Sequence, residues 1–285
     1  MTPLLAIPNV SEGRDRAAID AIASAFDGRL LCVHADPDHH RSVFTLAGEP
    51  GTLARTVLNG AREVLERVTL AEHEGFHPRV GAIDVAPIVY LQDSARGAAC
   101  AEALVLADLL GWELELPVFL YGQLAGGRTR AQLRRGGPEA LARRISAGDQ
   151  APDFGPNRLH PTAGAVLVAA RPPLVAFNVE LAAPATVQDA KEIAARIREG
   201  GPEGLPFVRA IGLWLPHRGL AQVSTNVEDH RATRLAHVVA AVGRHARVQE
   251  AELVGLAPEA AFVGFPEHVP VRNRATVEDA LLASA

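Results

Sequence analysis

Histidine, aspartate and arginine gather at three places in this 285-residue chain, each at the end of an apolar run. The first is "HADPDHHR" (34–41), where His34, Asp36, Asp38, His39, His40 and Arg41 crowd one turn. Aspartates in such turns ordinarily bond their own backbone, so Asp36 is a turn former as readily as a catalytic acid. Three histidines in one turn are harder to explain by folding alone. The second is "HEGFHPR" (73–79), which spells the H-E-x-x-H zinc pattern. That pattern works only when one helix puts both imidazoles on one face, with the glutamate placed as base. Gly75 inside it and Pro78 directly after His77 oppose the helix, because a residue before proline is pushed toward extended backbone. No metal site is expected here. His77 instead offers an imidazole, with an ordinary pKa of about 6.5, to move protons near neutral pH at the mouth of a strand. Arg79 falls on the same side of an extended segment, and its planar fork suits a carboxylate. The third place is "FGPNRLHPTAGA" (154–165), a loop carrying Gly155, Pro156, Asn157, Arg158, His160 and Gly164. It lacks phosphate-cradle spacing, and is either a linker or a loop whose glycines let backbone approach a flat ring. Two lesser stretches, "IPNVSEG" and "LAQVSTN", put Asn9 and Asn226 at strand positions or ends.

Other chemistries find no support. There is no G-x-S-x-G elbow, and Cys32 and Cys100 have neither glycine-rich nor helix-start surroundings. Two cysteines in apolar stretches fit buried thiols in a reducing compartment, so a cytoplasmic protein is expected. A net charge of -5 argues against nucleic acid as a partner. The one dense basic patch, "RRGGPEALARR", lacks interleaved aromatics and reads as a solvated loop and helix face. The apolar runs are interrupted well short of the roughly 18 to 20 residues that a spanning helix needs, and the N-terminus shows no export signal, so no membrane partner is expected.

The elements that must position these residues come in a repeated order. In the first half, 4–10 reads as a strand, Ser11 as the cap of a helix with Ile19, Ile22, Ala23 and Phe26 on one face, 29–35 and 41–48 as strands, 52–68 as a helix and 82–91 as a strand. In the second half, 173–181, 207–215, 220–227 and 248–256 read as strands, with helices over 186–199 and 232–246. Both halves follow β-α-β-β-α-β, the ferredoxin-like order. Between them an insertion holds a helix near 95–111, a strand at 117–122, a Gly/Arg-rich loop at 126–137, a helix near 138–147 and a strand at 164–170 that extends the first sheet. The expected architecture is α/β (α+β): two ferredoxin-like βαββαβ subdomains, residues 1–172 and 173–285, whose mixed sheets face each other across a ligand groove.

Taken together, "IPNVSEG", "HEGFHPRVGAIDVAPIVYL", "VFLYG", "APDFGPN", "LVAFNVEL" and "LAQVSTN" resemble, in the same order, segments of the glutamate formimidoyltransferase family, the folate-dependent formiminotransferases of histidine breakdown. The resemblance implies a folate tunnel between two subdomains, a homodimer, and transfer of a formimino group from N-formimidoyl-glutamate to tetrahydrofolate, which serves as co-substrate. In vertebrates this unit is fused to a cyclodeaminase domain, for which a chain ending at Ala285 is expected to have no room. In the family the histidine matching His77 moves the protons, so His77, Arg79 and Asp36 are the expected catalytic residues. Asn9, His40, Arg41, Gly155, Pro156, Asn157, Gly164 and Asn226 are the expected folate contacts. His40 stands where relatives typically carry asparagine, and His34 where the mammalian enzyme carries an acid. Competing readings are a folate- or amino-acid-binding module without chemistry, a formyl transferase using 5-formyltetrahydrofolate, and a metal hydrolase built on His73, His77 and Asp84.

Overall fold

The computed structural model describes residues 3–73 and 78–284, in two compact units, residues 1–172 and 173–285. The described residues form twelve strands and eight α-helices, an α/β protein with two mixed sheets. Among them no helix is long and apolar enough to cross a membrane.

The first unit runs β1 (Leu4–Ala6), β2 (Asn9–Val10), α1 (Arg16–Ala25), β3 (Arg29–Asp36), β4 (Arg41–Gly48), α2 (Leu53–Arg67), β5 (Ile83–Tyr90), α3 (Arg96–Glu113), β6 (Val118–Leu120), α4 (Arg130–Arg134), α5 (Gly137–Ser146) and β7 (Val166–Arg171). The single strand expected over 4–10 is broken in two. Pro8 has no N–H to give the ladder, and the gap is held by Ile7 N donating to Pro87 O and Phe44 N to Pro8 O, both 3.0 Å. β1 and β2 lie between β4 and β5, antiparallel to both, and β3 pairs antiparallel with β4. Beyond β5, β7 adds in parallel, followed by β6 parallel to β7.

Ser11 does not cap α1, which is a correction. Its N–H and hydroxyl both donate toward β5, to Ala82 O at 2.7 Å and Gly81 O at 2.8 Å, and Asp15 caps the helix by accepting from Ala18 N. α2 likewise lacks a side-chain cap of its own. The buried Glu102 of α3 supplies one, accepting from Ala54 N at 2.6 Å and from Gly51 N. Gly60 on α2 lets Phe26 lie against the helix, because a Cβ there would stand 2.1 Å from the ring. On this face of the sheet Ile19, Ile22, Phe44, Leu58 and Ile88 are fully buried, each worth roughly 1.5–3 kcal/mol of transfer free energy.

The Gly/Arg-rich stretch 126–137 is not only loop, and the "RRGGPEALARR" patch is not only a solvated surface. α4 forms within it behind a capping box of Thr129 and Gln132, and Leu133 and Leu141 join a second core with Val85, Phe119, Tyr121 and Leu167. The sheet face expected to be open is therefore partly covered by α4 and α5.

The second unit runs β8 (Val175–Leu181), α6 (Val187–Ile197), β9 (Val208–Leu215), β10 (Leu220–Val227), α7 (Leu235–Gly243), β11 (Val248–Val254), β12 (Val271–Arg272) and α8 (Val277–Ala283). Its strand order is β12-β11-β8-β10-β9, antiparallel except for the β11–β12 edge pair. Val175, Phe177, Val179, Ala221, Val223 and Leu253 turn toward α6 and α7 as the core of this unit. The opposite face is polar: Arg272 reaches Glu180, Glu250 and Glu252, and Asn178 donates to Glu252.

Candidate active site

Asp84, at the start of β5 and wholly buried, is the charge around which the first unit's site is built. Its Oδ1 accepts from Val80 N at 2.8 Å, and its Oδ2 accepts from Arg41 Nη1 at 2.9 Å and from Arg134 Nη2. Burial by itself would raise its carboxyl, but the guanidinium groups of Arg134 and Arg41 outweigh that and hold it below the usual carboxylate range. Arg41 turns its Nε and Nη2 to Asn9 Oδ1, at 3.0 and 2.8 Å. Burial pulls Arg41 down to about 10 in spite of Asp84, which leaves it a full cation at neutral pH.

Beside this node two imidazoles stack. The rings of His40 and His73 lie 4.3 Å apart at 21°. His73 Nε2 meets the His40 carbonyl at 2.9 Å, and Arg79 Nη2 donates to the His73 carbonyl. Burial pushes His73 down to about 4, with Arg79 and His40 adding in the same direction, so it is neutral at physiological pH and donates through Nε2. Burial also lowers His40, whose Nδ1 accepts from Gly13 N at 3.1 Å with Glu12 Oε1 3.4 Å away. His40 holds a left-handed φ of 47°, a conformation that costs a non-glycine residue about 1–2 kcal/mol.

The third cluster joins the second through backbone. Ala165 N donates to Val80 O, Ala82 N to Ala163 O, and Gly164 pairs with Gly81. Gly164, at φ 69°, leaves only 2.2 Å between a would-be Cβ and Val80 O, and Gly155, at φ 77°, leaves 2.1 Å to Leu116 O. Both glycines are thus required by the chain's own close approach, before any ring is considered. Phe154 bridges Val118 at the start of β6, which carries Gly155, Pro156 and Asn157 along the same edge of the sheet.

The family model described as "Formiminotransferase domain, N-terminal subdomain" matches residues 4–171, and the one described as "Formiminotransferase domain" matches residues 176–280. The chain belongs to the formiminotransferase family. Among its relatives, a glutamate formimidoyltransferase of Streptococcus pyogenes serotype M1 is 36% identical, with 92% of this chain and 91% of that protein covered. The glutamate formimidoyltransferase of Thermoplasma acidophilum is 34% identical, covering 90% and 88%. The formimidoyltransferase-cyclodeaminase of Mus musculus is 37% identical over 88% of this chain, which spans about half, 49%, of that relative's length.

Among the formiminotransferase residues expected from sequence, the structure brings Asn9, Arg41, His40, Arg79 and Gly164 into one neighbourhood of the first unit. His77 lies outside the described residues. Asp36 sits where β3 turns toward β4, its Oδ1 accepting from His39 N at 2.8 Å, so the turn-forming role is realised. Gly155 and Asn157 are exposed in their loop, and Asn226 lies in β10 of the second unit, opposite Ala176 and Arg209. The H-E-x-x-H helix does not form at its first histidine: His73 follows a single 3-10 turn, with φ -80° and ψ 115°. Asp84, which the metal-hydrolase reading needs as a ligand, has both oxygens engaged by Val80, Arg41 and Arg134. Arg134 and the buried role of Asp84 were not foreseen. The only advance signal was a charge at a core position of the strand "AIDVAPIVYL".

Proposed function

We propose that this chain transfers the formimino group of N-formimidoyl-L-glutamate to tetrahydrofolate in histidine breakdown, giving 5-formimidoyltetrahydrofolate and glutamate. The observation that carries this reading is the match along both halves, together with relatives of that name covered nearly end to end. The site's own chemistry supports it. Donor and acceptor both bear glutamyl carboxylates, and the Asp84 node sets two guanidiniums against one carboxylate. The buried His73 Nδ1 and Arg134 Nε have no partner among the described residues, as groups waiting on a polar ligand would.

In the proposed reaction folate N5 attacks the amidine carbon, the N5–C bond forms, and a tetrahedral intermediate collapses by breaking the C–N bond to glutamate. The proton lost from N5 must reach the departing nitrogen, and His77 carries it. Arg79 holds a substrate carboxylate, and Asp36 orients the turn bearing His39 and His40. Asn9, His40, Arg41, Gly155, Pro156, Asn157, Gly164 and Asn226 contact the folate, which is a co-substrate. The same reading includes a ferredoxin-like plan in each unit, residues 1–172 and 173–285 as the family's two subdomains, a homodimer and a cytoplasmic location. Incubation with N-formimidoyl-L-glutamate and tetrahydrofolate tests the reaction by release of glutamate in step with formation of 5-formimidoyltetrahydrofolate. Folate binding without transfer from this donor or from 5-formyltetrahydrofolate would reduce the protein to a binding module.

A further inference from the structure

Arg134 is set in place by more devices than a surface arginine requires. The capping box of Thr129 and Gln132 starts its short helix, and the adjacent Leu133 is buried in the second core at 1% exposure. Arg144 donates to Leu133 O at 2.7 Å and Arg135 O at 2.8 Å, fixing the helix from its other end. The Arg134 side chain is only 10% exposed and spends Nη2 on Asp84, which Arg41 already neutralises. Arg130, over the Tyr121 ring at 5.7 Å, adds a third positive charge near Arg41. The Arg134 Nε is buried with no acceptor among the described residues. A buried N–H without an acceptor carries a desolvation cost, which an oxygen of a bound ligand would recover.

We infer that Arg134 is a substrate-binding residue, whose Nε–H receives a carboxylate of the glutamyl group carried by the donor or by the folate. This rests on the transferase reading for its ligand, and on the Asp84 node for its geometry. Arg134→Gln keeps a polar side chain on the same stem while removing the charged fork and its Nε–H, and leaves Asp84 paired with Arg41. The expected result is a rise in KM of roughly 10- to 100-fold for one co-substrate, with kcat within threefold of the parent, as loss of one charge-assisted hydrogen bond predicts. A rise confined to N-formimidoyl-glutamate assigns the donor carboxylate. A rise confined to folate, absent with a pteroate lacking its glutamyl group, assigns the folate tail.

Calorimetric titration with L-glutamate and with 5-formyltetrahydrofolate gives a readout that needs no turnover. Weakened binding of either one in Arg134→Gln upholds the inference even if the protein transfers nothing, in which case the transferase reading alone fails. Unchanged KM and unchanged binding of both ligands in a folded Arg134→Gln protein would overturn it, as would an equal loss of kcat with both KM values intact.

Discussion

Arg41 faces two acceptors at once, Asn9 and Asp84, and Asp84 in turn faces two guanidiniums, so Asp84 is the member whose removal strands the most. Asp84→Ala leaves Arg41 and Arg134 buried without their carboxylate. The expected loss is about 3–5 kcal/mol in urea unfolding, far above that of an exposed aspartate. His73 gives a second residue-scale expectation. Its folded pKa of about 4 lies below the usual 6.5, so between those values the unfolded chain binds the extra proton and the folded one does not. Stability from this group is complete above about pH 6.5 and falls as pH drops toward 4, with the lowered His40 acting in the same sense. Urea titrations across that range should show this slope, reduced in His73→Gln. At this scale the sequence shows which residue types cluster but not which pair up. Asp84 lies 43 residues from Arg41 and 50 from Arg134, so strand alternation records only that a charge is buried there and is silent on its partners.

Helix boundaries depend on local pattern, and the regular elements of both halves were legible from periodicity to within a few residues, except the short β12 and α8 beyond residue 256. What escaped were features supplied from elsewhere in the chain. α2 starts on a cap that α3 provides, since Thr52 makes no side-chain cap bond and Glu102 takes the N–H groups of Gly51 and Ala54. Glu102→Ala should therefore cost about 1–3 kcal/mol, measured by the thermal or urea midpoint, and Glu102→Gln less, because its amide oxygen still accepts. α4 was hidden because glycine and arginine dominate its surroundings and only Leu133 marks an apolar face. Its capping box, Thr129 with Gln132, was the readable sign.

Each unit closes its own hydrophobic core, the second around Phe177, Val223 and Leu253 beneath α6 and α7. We expect residues 173–285, produced alone, to melt cooperatively by circular dichroism, and a gradual non-cooperative loss of signal would count against two independent subdomains. The family, and with it the proposed reaction, was legible from short motifs spread along the whole chain, because the site draws on strand ends far apart in sequence. The claim that His77 carries the proton is tested most directly by the rate at which His77→Ala converts N-formimidoyl-L-glutamate and tetrahydrofolate to 5-formimidoyltetrahydrofolate. The account predicts a fall in kcat of at least about 100-fold with folate affinity retained; turnover equal to that of the unsubstituted protein would contradict it.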